Sequence, residues 1–297
     1  MFRISVIIPT YNYAAYILES VTSALDQLQA GDELIVIDDG SEDETGQILQ
    51  PLIDAGRIAY EYQDNTGVSG ARNRGVEIAA NPYLYFLDAD DRIAESGLEI
   101  LREAATRHPE AAMVFGGHIS IFENGKRRIH LQKTISGDAE KNFYDYVIAR
   151  RFSIANGGAA LIKREVALKY PFPPYLKVSE DFCVFAWILA NHQCYSFEQA
   201  VVEVRKHAGS LRNQLPLYEQ AVDLLPEKLF DSRVLSSGLL KYRQRFRCQR
   251  LLSLFRAQYL AGQETEAKAT YKKALACRPA NIFKLSYLRK YIRLLLG

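Results

Sequence analysis

The sequence is poor in cysteine, and this scarcity limits what can hold the fold together. Its 297 residues include only four cysteines, which are Cys183, Cys194, Cys248 and Cys277. They form no C-x-x-C pair, and no histidines cluster beside them. The spacing therefore offers neither a zinc knuckle nor a disulfide framework, and we expect four free thiols.

Long apolar runs are also missing. No stretch of 18 apolar residues occurs, which argues against a membrane-spanning helix. The first nine residues carry one positive charge, and Pro9 ends their apolar run, which does not fit a signal peptide. A composition of 48% hydrophobic and 24% charged residues excludes disordered and collagen-like chains. We therefore expect a globular protein in the cytoplasm.

The charges divide unevenly along the chain, although they nearly balance overall. The 37 basic and 35 acidic residues give a formal net charge of +2. From Leu239 onward, 14 basic residues meet only Glu264 and Glu266, so this region carries +12 and residues 1–238 carry −10. The contrast predicts a first domain over 1–238 and a basic helical region over 239–297, suited to different surroundings.

Short β-branched runs alternate with helical patterns in the first half, which predicts an α/β fold with parallel strands joined by crossover helices. Segments 117–122 and 126–132 flank the Asn124-Gly125 pair and predict an antiparallel hairpin, so the sheet should be mixed. A helix is expected over 181–190, and helices dominate the basic region. The predicted parallel strands are 4–8, 34–38, 58–62, 83–87 and 112–115.

The strongest chemical pattern is the segment Asp88-Ala89-Asp90-Asp91, which ends the apolar run 83–87. Because side chains alternate along a strand, Asp88 and Asp90 leave its end on the same side. Open α/β sheets bind ligands at the carboxyl ends of their strands. Two carboxylates there suit a hard cation such as Mg²⁺ or Mn²⁺. An acidic turn that only caps the next helix is the alternative for an isolated D-x-D.

A second acidic pair, Asp38-Asp39, ends the apolar run 34–37, and helix capping is again the alternative. Two strand ends rich in carboxylates favour shared positive ligands, because like charges buried without a partner are costly. The glycine-rich turn at 67–70 leads into a predicted helix that contains Arg72. Such helix starts bind anions through their free backbone N–H groups.

Together these segments resemble the N-terminal half of the family-2 glycosyltransferases. Farther along the chain, Glu180-Asp181 is similar to the family's E-D element, and residues 204–210 are similar to its Y/V-R-x-H-x-x-S element. The N-terminal segments that carry the resemblance, in matching order and spacing, are 4–12, 36–41, 67 with 71–73, and 86–91.

The resemblance implies a GT-A fold, which is a Rossmann-like mixed central sheet flanked by helices. It divides the first domain into a nucleotide-binding half over about 1–115 and an acceptor half over about 116–238, followed by a C-terminal helical appendage. It also implies inverting transfer of a hexosyl or N-acetylhexosaminyl group from a nucleotide-diphosphate sugar, with uridine as the base. The acceptor would be a hydroxyl of a saccharide or lipid-linked saccharide in bacterial surface-polysaccharide synthesis.

Carried over by position, the resemblance implies a role for each motif residue. Asp181 would be the catalytic base. Asp90 would hold Mn²⁺ or Mg²⁺ between the donor phosphates. Asp88 would approach the ribose or the metal, and His207 the metal or the diphosphate. Asp39 would accept a hydrogen bond from the base of the donor. The full set of expected donor-binding residues is Pro9, Tyr11, Asp39, Arg72, Asp88 and Asp90.

Departures from the family pattern leave the acceptor open. Val204 stands where tyrosine is common, and the loop before Glu180 is rich in proline and lacks the Gly-Gly pair often found near it. A non-catalytic nucleotide-sugar scaffold or sensor on the same fold is the competing function. Every expected acid is present, which favours the enzyme.

The basic region 239–297 has several candidate partners. An anionic lipid surface, at the inner face of the cytoplasmic membrane, suits a basic amphipathic tail. Packing against the acidic first domain or a partner protein is a second interpretation. Nucleic acid is disfavoured, because Tyr242, Phe246, Phe255 and Tyr259 recur at the spacing of a buried helix stripe.

Overall fold

The chain divides into two units in a computed structural model that describes residues 2–207 and 215–296. The first unit comprises Met1–Tyr146 and Arg150–Ala208, and the second comprises Val147–Ala149 and Gly209–Gly297. The boundary predicted after residue 238 therefore lies inside the second unit. Counting charges places helix Leu215–Leu229 in the first domain because that helix is not basic, yet its Val222 belongs to the same apolar core as Leu251.

A nine-stranded sheet forms the centre of the first unit. Its strands are β1 (Ile4–Thr10), β2 (Glu33–Asp38), β3 (Ala59–Tyr62), β4 (Tyr83–Phe86), β5 (Arg92–Ile93), β6 (Met113–Phe122), β7 (Arg127–His130), β8 (Ala160–Lys163) and β9 (Cys194–Lys206). The accompanying helices are α1 (Ile17–Leu25), α2 (Thr45–Asp54), α3 (Val68–Ile78), α4 (Gly97–Arg107), α5 (Ala139–Phe143), α6 (Arg164–Ala167) and α7 (Glu180–Asn191).

The sheet is mixed, as predicted, and its strands lie in the order β3-β2-β1-β4-β8-β6-β9-β5, with β7 paired to β6. β1 is parallel to both β2 and β4, and β2 is parallel to β3, which confirms the predicted parallel strands of the first half. β8 runs antiparallel between β4 and β6, and β9 is parallel to β6. The fold class is therefore α/β.

The central strands are buried along their length, as expected for a sheet covered on both faces. Every residue of β1 is buried, and β2 is buried from Leu34 to its end. The loop before β8 approaches the end of β4 so closely that a Cβ atom on Gly157 would lie 2.6 Å from the Cβ atom of Phe86. Only glycine permits this approach without a shift of the backbone.

The predicted hairpin is present, but its first strand is longer than expected. The expected strands 112–115 and 117–122 form one strand, β6, whose pairing with β9 shifts register between Phe115 and Gly117. Gly125 adopts a φ of 75° in the turn that joins β6 to β7, a conformation that favours glycine. The apolar pattern breaks at this point, which is why two strands were predicted. A register shift is only a local irregularity, and the pairing with β9 continues beyond it.

The described part of the second unit is helical, as predicted for the basic region. Its core includes the rings of Phe255 and Tyr271, whose centroids lie 4.9 Å apart. In residues 2–207 and 215–296, we find no helix with the length and apolar character that crossing a membrane requires. The helices are α8 (Leu215–Leu229), α9 (Ser237–Leu240), α10 (Arg243–Leu260), α11 (Glu264–Cys277) and α12 (Leu285–Leu296).

The prediction of four free thiols is wrong for two of them. Cys248 of α10 and Cys277 at the end of α11 form a disulfide, with Cα atoms 5.9 Å apart. Cys183 and Cys194 are thiols. The paired cysteines are 29 residues apart in sequence, and only the packing of α10 against α11 brings them together.

Candidate active site

The carboxyl ends of β1, β2 and β4 lie side by side at one edge of the sheet. Thr10 at the end of β1 pairs with Asp38 at the end of β2, and Ile7 pairs with Phe86 at the end of β4. Asp88 follows two residues after Phe86. Both predicted acidic segments therefore come to the same edge, which is where open α/β sheets bind their ligands.

Three carboxylates after β4 form an acidic cluster, and one oxygen of each of Asp88, Asp90 and Asp91 lies within 4.8 Å of the others. Burial, and then the charge of Asp88, raise the pKa of Asp90, whereas His207 lowers it. Burial, with the charges of Asp90 and Asp88, raises the pKa of Asp91 well above its usual range. Crowded oxygen ligands of one charge fit a hard divalent cation such as Mg²⁺ or Mn²⁺.

Asn156 holds two carboxylates of the cluster in place. This buried side chain donates through Nδ2 to Asp88 Oδ2 over 3.1 Å and also to Asp91 Oδ2. Its Oδ1 accepts from the backbone N–H of Gly158 at 3.1 Å, which fixes the orientation of the amide. Asn156 therefore holds Asp88 and Asp91 in place without adding positive charge to the cluster.

The end of β9 reaches the same cluster. His207 Nε2 lies 2.8 Å from Asp90 Oδ2, so the three predicted metal residues are close together. The backbone N–H of Arg205 donates to Asp91 Oδ1 over 2.8 Å. The last part of the predicted 204–210 element, residues 208–210, lies outside the described residues.

Arg72 of α3 links the acidic cluster to the start of α7. Its Nη2 donates to Asp88 Oδ1 over 2.7 Å, and its Nη1 donates to Glu180 Oε1 over 2.6 Å. Only 4% of its side chain is exposed, so the guanidinium lies beneath the surface of the site. The sequence predicted a nucleotide contact for Arg72, whereas both terminal amino groups are engaged by carboxylates in this structure.

Asp181 is the second residue of α7 and is partly buried. Burial, and secondarily the charge of the adjacent Glu180, raise its pKa to about 7, although the charge of Arg72 acts in the opposite direction. A carboxylate with this pKa exchanges a proton readily near neutral pH. The structure therefore gives Asp181 the acidity that suits a general base.

Asp39 is surrounded by donors from the loop that follows β3. Its Oδ1 accepts from Gln63 Nε2 over 2.6 Å and from the Thr66 backbone N–H over 2.9 Å. Its Oδ2 accepts from the backbone N–H of Gly67, just before α3, over 2.7 Å. The helix start that was predicted to bind an external anion is therefore contacted by Asp39 itself.

The loop after β1 brings aromatic side chains to the same edge. Pro9 is buried within β1, and Tyr11 is 42% exposed beyond its end. Burial, with the charges of Asp90 and Asp88, raises the pKa of Tyr13, so this phenol lies near the acidic cluster. Pro9 and Tyr11 therefore lie at the sheet edge that carries the acidic segments, and Tyr13 lies near the acidic cluster.

Sequence reasoning missed Asn156, Tyr13 and the part played by Asp91. Tyr13 lies two residues beyond Tyr11 and carried no spacing signal of its own. Asn156 did carry one, because it precedes Gly157-Gly158, the only Gly-Gly pair besides Gly116-Gly117. A polar residue next to paired glycines indicates a close backbone approach, which often occurs at sites.

The family model described as "Glycosyl transferase family 2" matches residues 5–170, more than half of the chain. The chain belongs to glycosyl transferase family 2. The matched region includes the acidic cluster and Asn156, and the resemblance deduced from the motifs is confirmed.

Curated relatives are similar to this chain over only part of their own length. An uncharacterized glycosyltransferase of Rickettsia conorii is 26% identical over 211 residues, which are 70% of this chain and 33% of the relative. TuaG of Bacillus subtilis, a glycosyltransferase assigned by name to teichuronic acid biosynthesis, is 37% identical over 146 residues, 47% of this chain and 57% of TuaG. This chain spans 29% to 34% of the length of three Rickettsia relatives.

Solved structures show the fold of this chain. The crystal structure of S. aureus TarS in complex with UDP-GlcNAc superposes with a TM-score of 0.66 and 18% identity, over 98% of this chain and 89% of the TarS chain. At that identity the likeness establishes the fold. The predicted GT-A fold, with its central sheet and C-terminal helices, is confirmed.

Proposed function

We propose that this glycosyltransferase moves a sugar from a nucleoside diphosphate sugar, with uridine as base, to a hydroxyl of a saccharide or lipid-linked saccharide in cell-surface polysaccharide synthesis. The main support is Arg72, whose guanidinium donates both to Asp88 of the acidic cluster and to Glu180, the neighbour of Asp181. This bridge supports a site in which a bound cation and the proton acceptor act close together. The complex of TarS with UDP-GlcNAc and the name of TuaG support this donor and this role.

Asp181 is the proposed catalytic base. The acceptor hydroxyl must lose a proton as its oxygen bonds to the anomeric carbon and the bond from that carbon to the diphosphate breaks. The Asp181 carboxylate takes the proton, and its pKa of about 7 keeps it partly ionised at neutral pH. One displacement with one base inverts the anomeric centre.

The acidic cluster is the proposed site of Mn²⁺ or Mg²⁺. Asp88, Asp90 and Asp91 supply oxygen ligands within 4.8 Å of one another, and His207 adjoins Asp90. A divalent ion bound there would stabilise negative charge on a diphosphate leaving group. Asn156 holds Asp88 and Asp91 in position, and the chain's own residues orient the donor around that charge.

Pro9, Tyr11 and Asp39 are the proposed walls of the base pocket. They stand at the ends of the adjacent strands β1 and β2, and Tyr11 is exposed for stacking. Asp39 is 2% exposed and holds the Gly67 turn, so a contact with the base would use its remaining lone pairs. For Arg72 we propose an action through Asp88, because its guanidinium is buried beneath the site.

The test is release of free nucleoside diphosphate from a panel of nucleotide sugars with Mn²⁺, in the presence and absence of EDTA. We expect slow release from one UDP-sugar and none with EDTA. Loss of release in Asp181→Asn and Asp90→Asn, with intact folding by circular dichroism, would support the enzyme. Tight donor binding without turnover, unchanged by Asp181→Asn, would favour the scaffold or sensor.

We further propose that the reaction takes place on the cytoplasmic side, with the basic region 239–297 at the inner face of the membrane. Disulfides are rare in the reducing cytosol, so the Cys248–Cys277 pair tests this location. The structure shows this pair as a disulfide, and a cytoplasmic location predicts that it is reduced to two thiols in the cell. Acid-quenched cells treated with a maleimide should yield four modified cysteines, and two modified cysteines would contradict the location.

A further inference from the structure

Helix α12 of the second unit has two apolar faces, and only one of them is buried. On the inner side, Tyr287 and Tyr291 pack against the core, with the Tyr291 ring 4.5 Å from that of Tyr271 and the Tyr287 ring 6.2 Å from that of Phe255. Leu294 completes this face and is buried. The inner face therefore explains how α12 attaches to the unit.

The outer face of α12 leaves large apolar side chains in solvent. Leu285 is 61%, Ile292 is 43% and Leu296 is 82% exposed. Together with Arg289 they follow the spacing i, i+4, i+7 and i+11, which places all four on one stripe of a helix. Phe283, in the turn before α12, is 81% exposed. These apolar side chains stay exposed after the chain folds, so packing within the unit does not explain why they are apolar.

The charge around the outer stripe has a single sign. From Ala267 to the last residue, the sequence contains eight basic residues and no acidic one. Lys284, Arg289 and Arg293 are exposed around the stripe. A second copy of this chain would bring the same cations face to face in a symmetric dimer, which opposes self-association. The complementary surface is therefore apolar within and negatively charged at its border.

We propose that the outer stripe of α12 binds the surface of an anionic lipid bilayer. Phe283, Leu285 and Ile292 would enter the boundary between headgroups and acyl chains, and Arg289 and Arg293 would contact lipid phosphates. A helix with an apolar stripe and a cationic border suits this environment because it satisfies both layers of the interface at once. This inference rests on the membrane placement proposed above, because it names the residues that would make the contact. It does not depend on the transfer reaction.

The test is flotation of the full chain with vesicles of phosphatidylcholine alone and of phosphatidylcholine with phosphatidylserine. We expect binding to the anionic vesicles only, and a fall in binding as the salt concentration rises. The variant Leu285→Ser/Ile292→Ser should lower the bound fraction about tenfold. Arg289→Gln/Arg293→Gln should lower it by weakening the electrostatic attraction.

The matched control is Ile129→Ser/Leu131→Ser, because these side chains on and beside β7 are 63% and 64% exposed and have the same chemistry. This variant should float like the original protein. Equal flotation of the α12 variant and the control would overturn the proposal, as would failure of the unchanged chain to float. So would light scattering that shows a dimer lost only in the α12 variant, since a second copy would then cover the stripe.

Discussion

The two strands that flank β1 lead into acidic residues, and the surroundings of these carboxylates differ between the two strand ends. At the end of β2, Asp38 accepts from the Ser41 backbone N–H over 2.8 Å and from the Tyr60 hydroxyl over 2.6 Å. Asp39 accepts from the loop that leads into α3. These carboxylates have protein donors on both oxygens, so they stabilise the loops around them.

After β4, the carboxylates also have protein donors, but they lie close to one another as well. Asp88, Asp90 and Asp91 approach within 4.8 Å, and the pKa values of Asp90 and Asp91 are raised by burial and by their neighbours' charges. Such an arrangement opposes folding and persists where a ligand uses it. Carboxylates at these neighbouring strand ends therefore have different surroundings, with donors from the loops at one end and other carboxylates close by at the other.

Of these substitutions, Asp181→Asn should have the largest effect, and it should act on turnover. We expect turnover to fall by about 10² to 10⁴, which is typical for loss of a general base. For the unchanged protein, kcat/KM should decline tenfold per pH unit below about pH 7, because protonated Asp181 cannot accept the acceptor's proton. The measurement is the pH profile of nucleoside diphosphate release; a profile flat from pH 5 to pH 8 would contradict the assignment.

The same substitution should affect stability in a defined direction. Because the pKa of Asp181 rises from its ordinary 3.8 to about 7 on folding, the free energy of unfolding decreases as the pH rises between those values. Asp181→Asn removes this pH-dependent decrease in the free energy of unfolding. Its Tm should exceed that of the unchanged protein at pH 8 and approach it near pH 4, and a lower Tm at pH 8 would show that the carboxylate stabilises the fold.

Asp90→Asn should separate activity from stability. We expect turnover to fall by about 10² or more, because the charge of the cation site is reduced. In EDTA the Tm should stay unchanged or rise, because repulsion from Asp88 is removed. Calorimetric titration with Mn²⁺ and thermal unfolding in EDTA make the two measurements. A variant that still binds Mn²⁺ with the original affinity would exclude Asp90 as a ligand.

Asp38→Asn is the matched substitution at the other strand end and should show the reverse. The amide weakens charge-assisted hydrogen bonds with Ser41 and Tyr60, which costs about 1.5 to 3 kcal/mol of the free energy of unfolding. Denaturant unfolding measures this loss. Turnover at a temperature where the variant is folded should be preserved, and the contrast between the strand ends fails if Asp38→Asn and Asp90→Asn behave alike.

Asn156→Ala should give a smaller effect through the acidic cluster. Asp88 and Asp91 lose their shared amide donor, and loss of such a supporting contact typically costs about 10- to 100-fold in metal affinity. The measurement is Mn²⁺ titration. Asn156→Gln, which keeps the amide on a longer side chain, serves as the control and should retain more affinity than the alanine variant; equal affinity in all three proteins would remove Asn156 from the site.

Much of the first unit could be predicted from the sequence. Continuous Ile/Val runs define β1 and β2 because a strand covered on both faces needs apolar residues throughout. The motif Asp88-Ala89-Asp90 and the start of α7 were found because their spacing is local. The long strand β6 was divided in error, since a register shift interrupts the apolar pattern while pairing with β9 continues.

Contacts between distant residues could not be predicted in this way. Arg72 and Glu180 are 108 residues apart, and no local pattern indicates that the guanidinium is buried between two carboxylates. The Cys248–Cys277 disulfide was not predicted for the same reason, because its geometry depends on how α10 packs on α11. The exposed stripe of α12 also became visible only when its other face was seen to be buried.

The sequence by itself determined the α/β class, the family and the order of the chemical motifs, because strand periodicity and motif spacing are properties of neighbouring residues. Tertiary structure decided what each carboxylate does. Asp39 and Asp90 have the same side chain, but Asp39 accepts from several N–H donors, whereas Asp90 lies beside His207 with its pKa raised by burial and by the charge of Asp88. Burial and neighbouring charge set the properties of an acid, and both arise only when the chain folds.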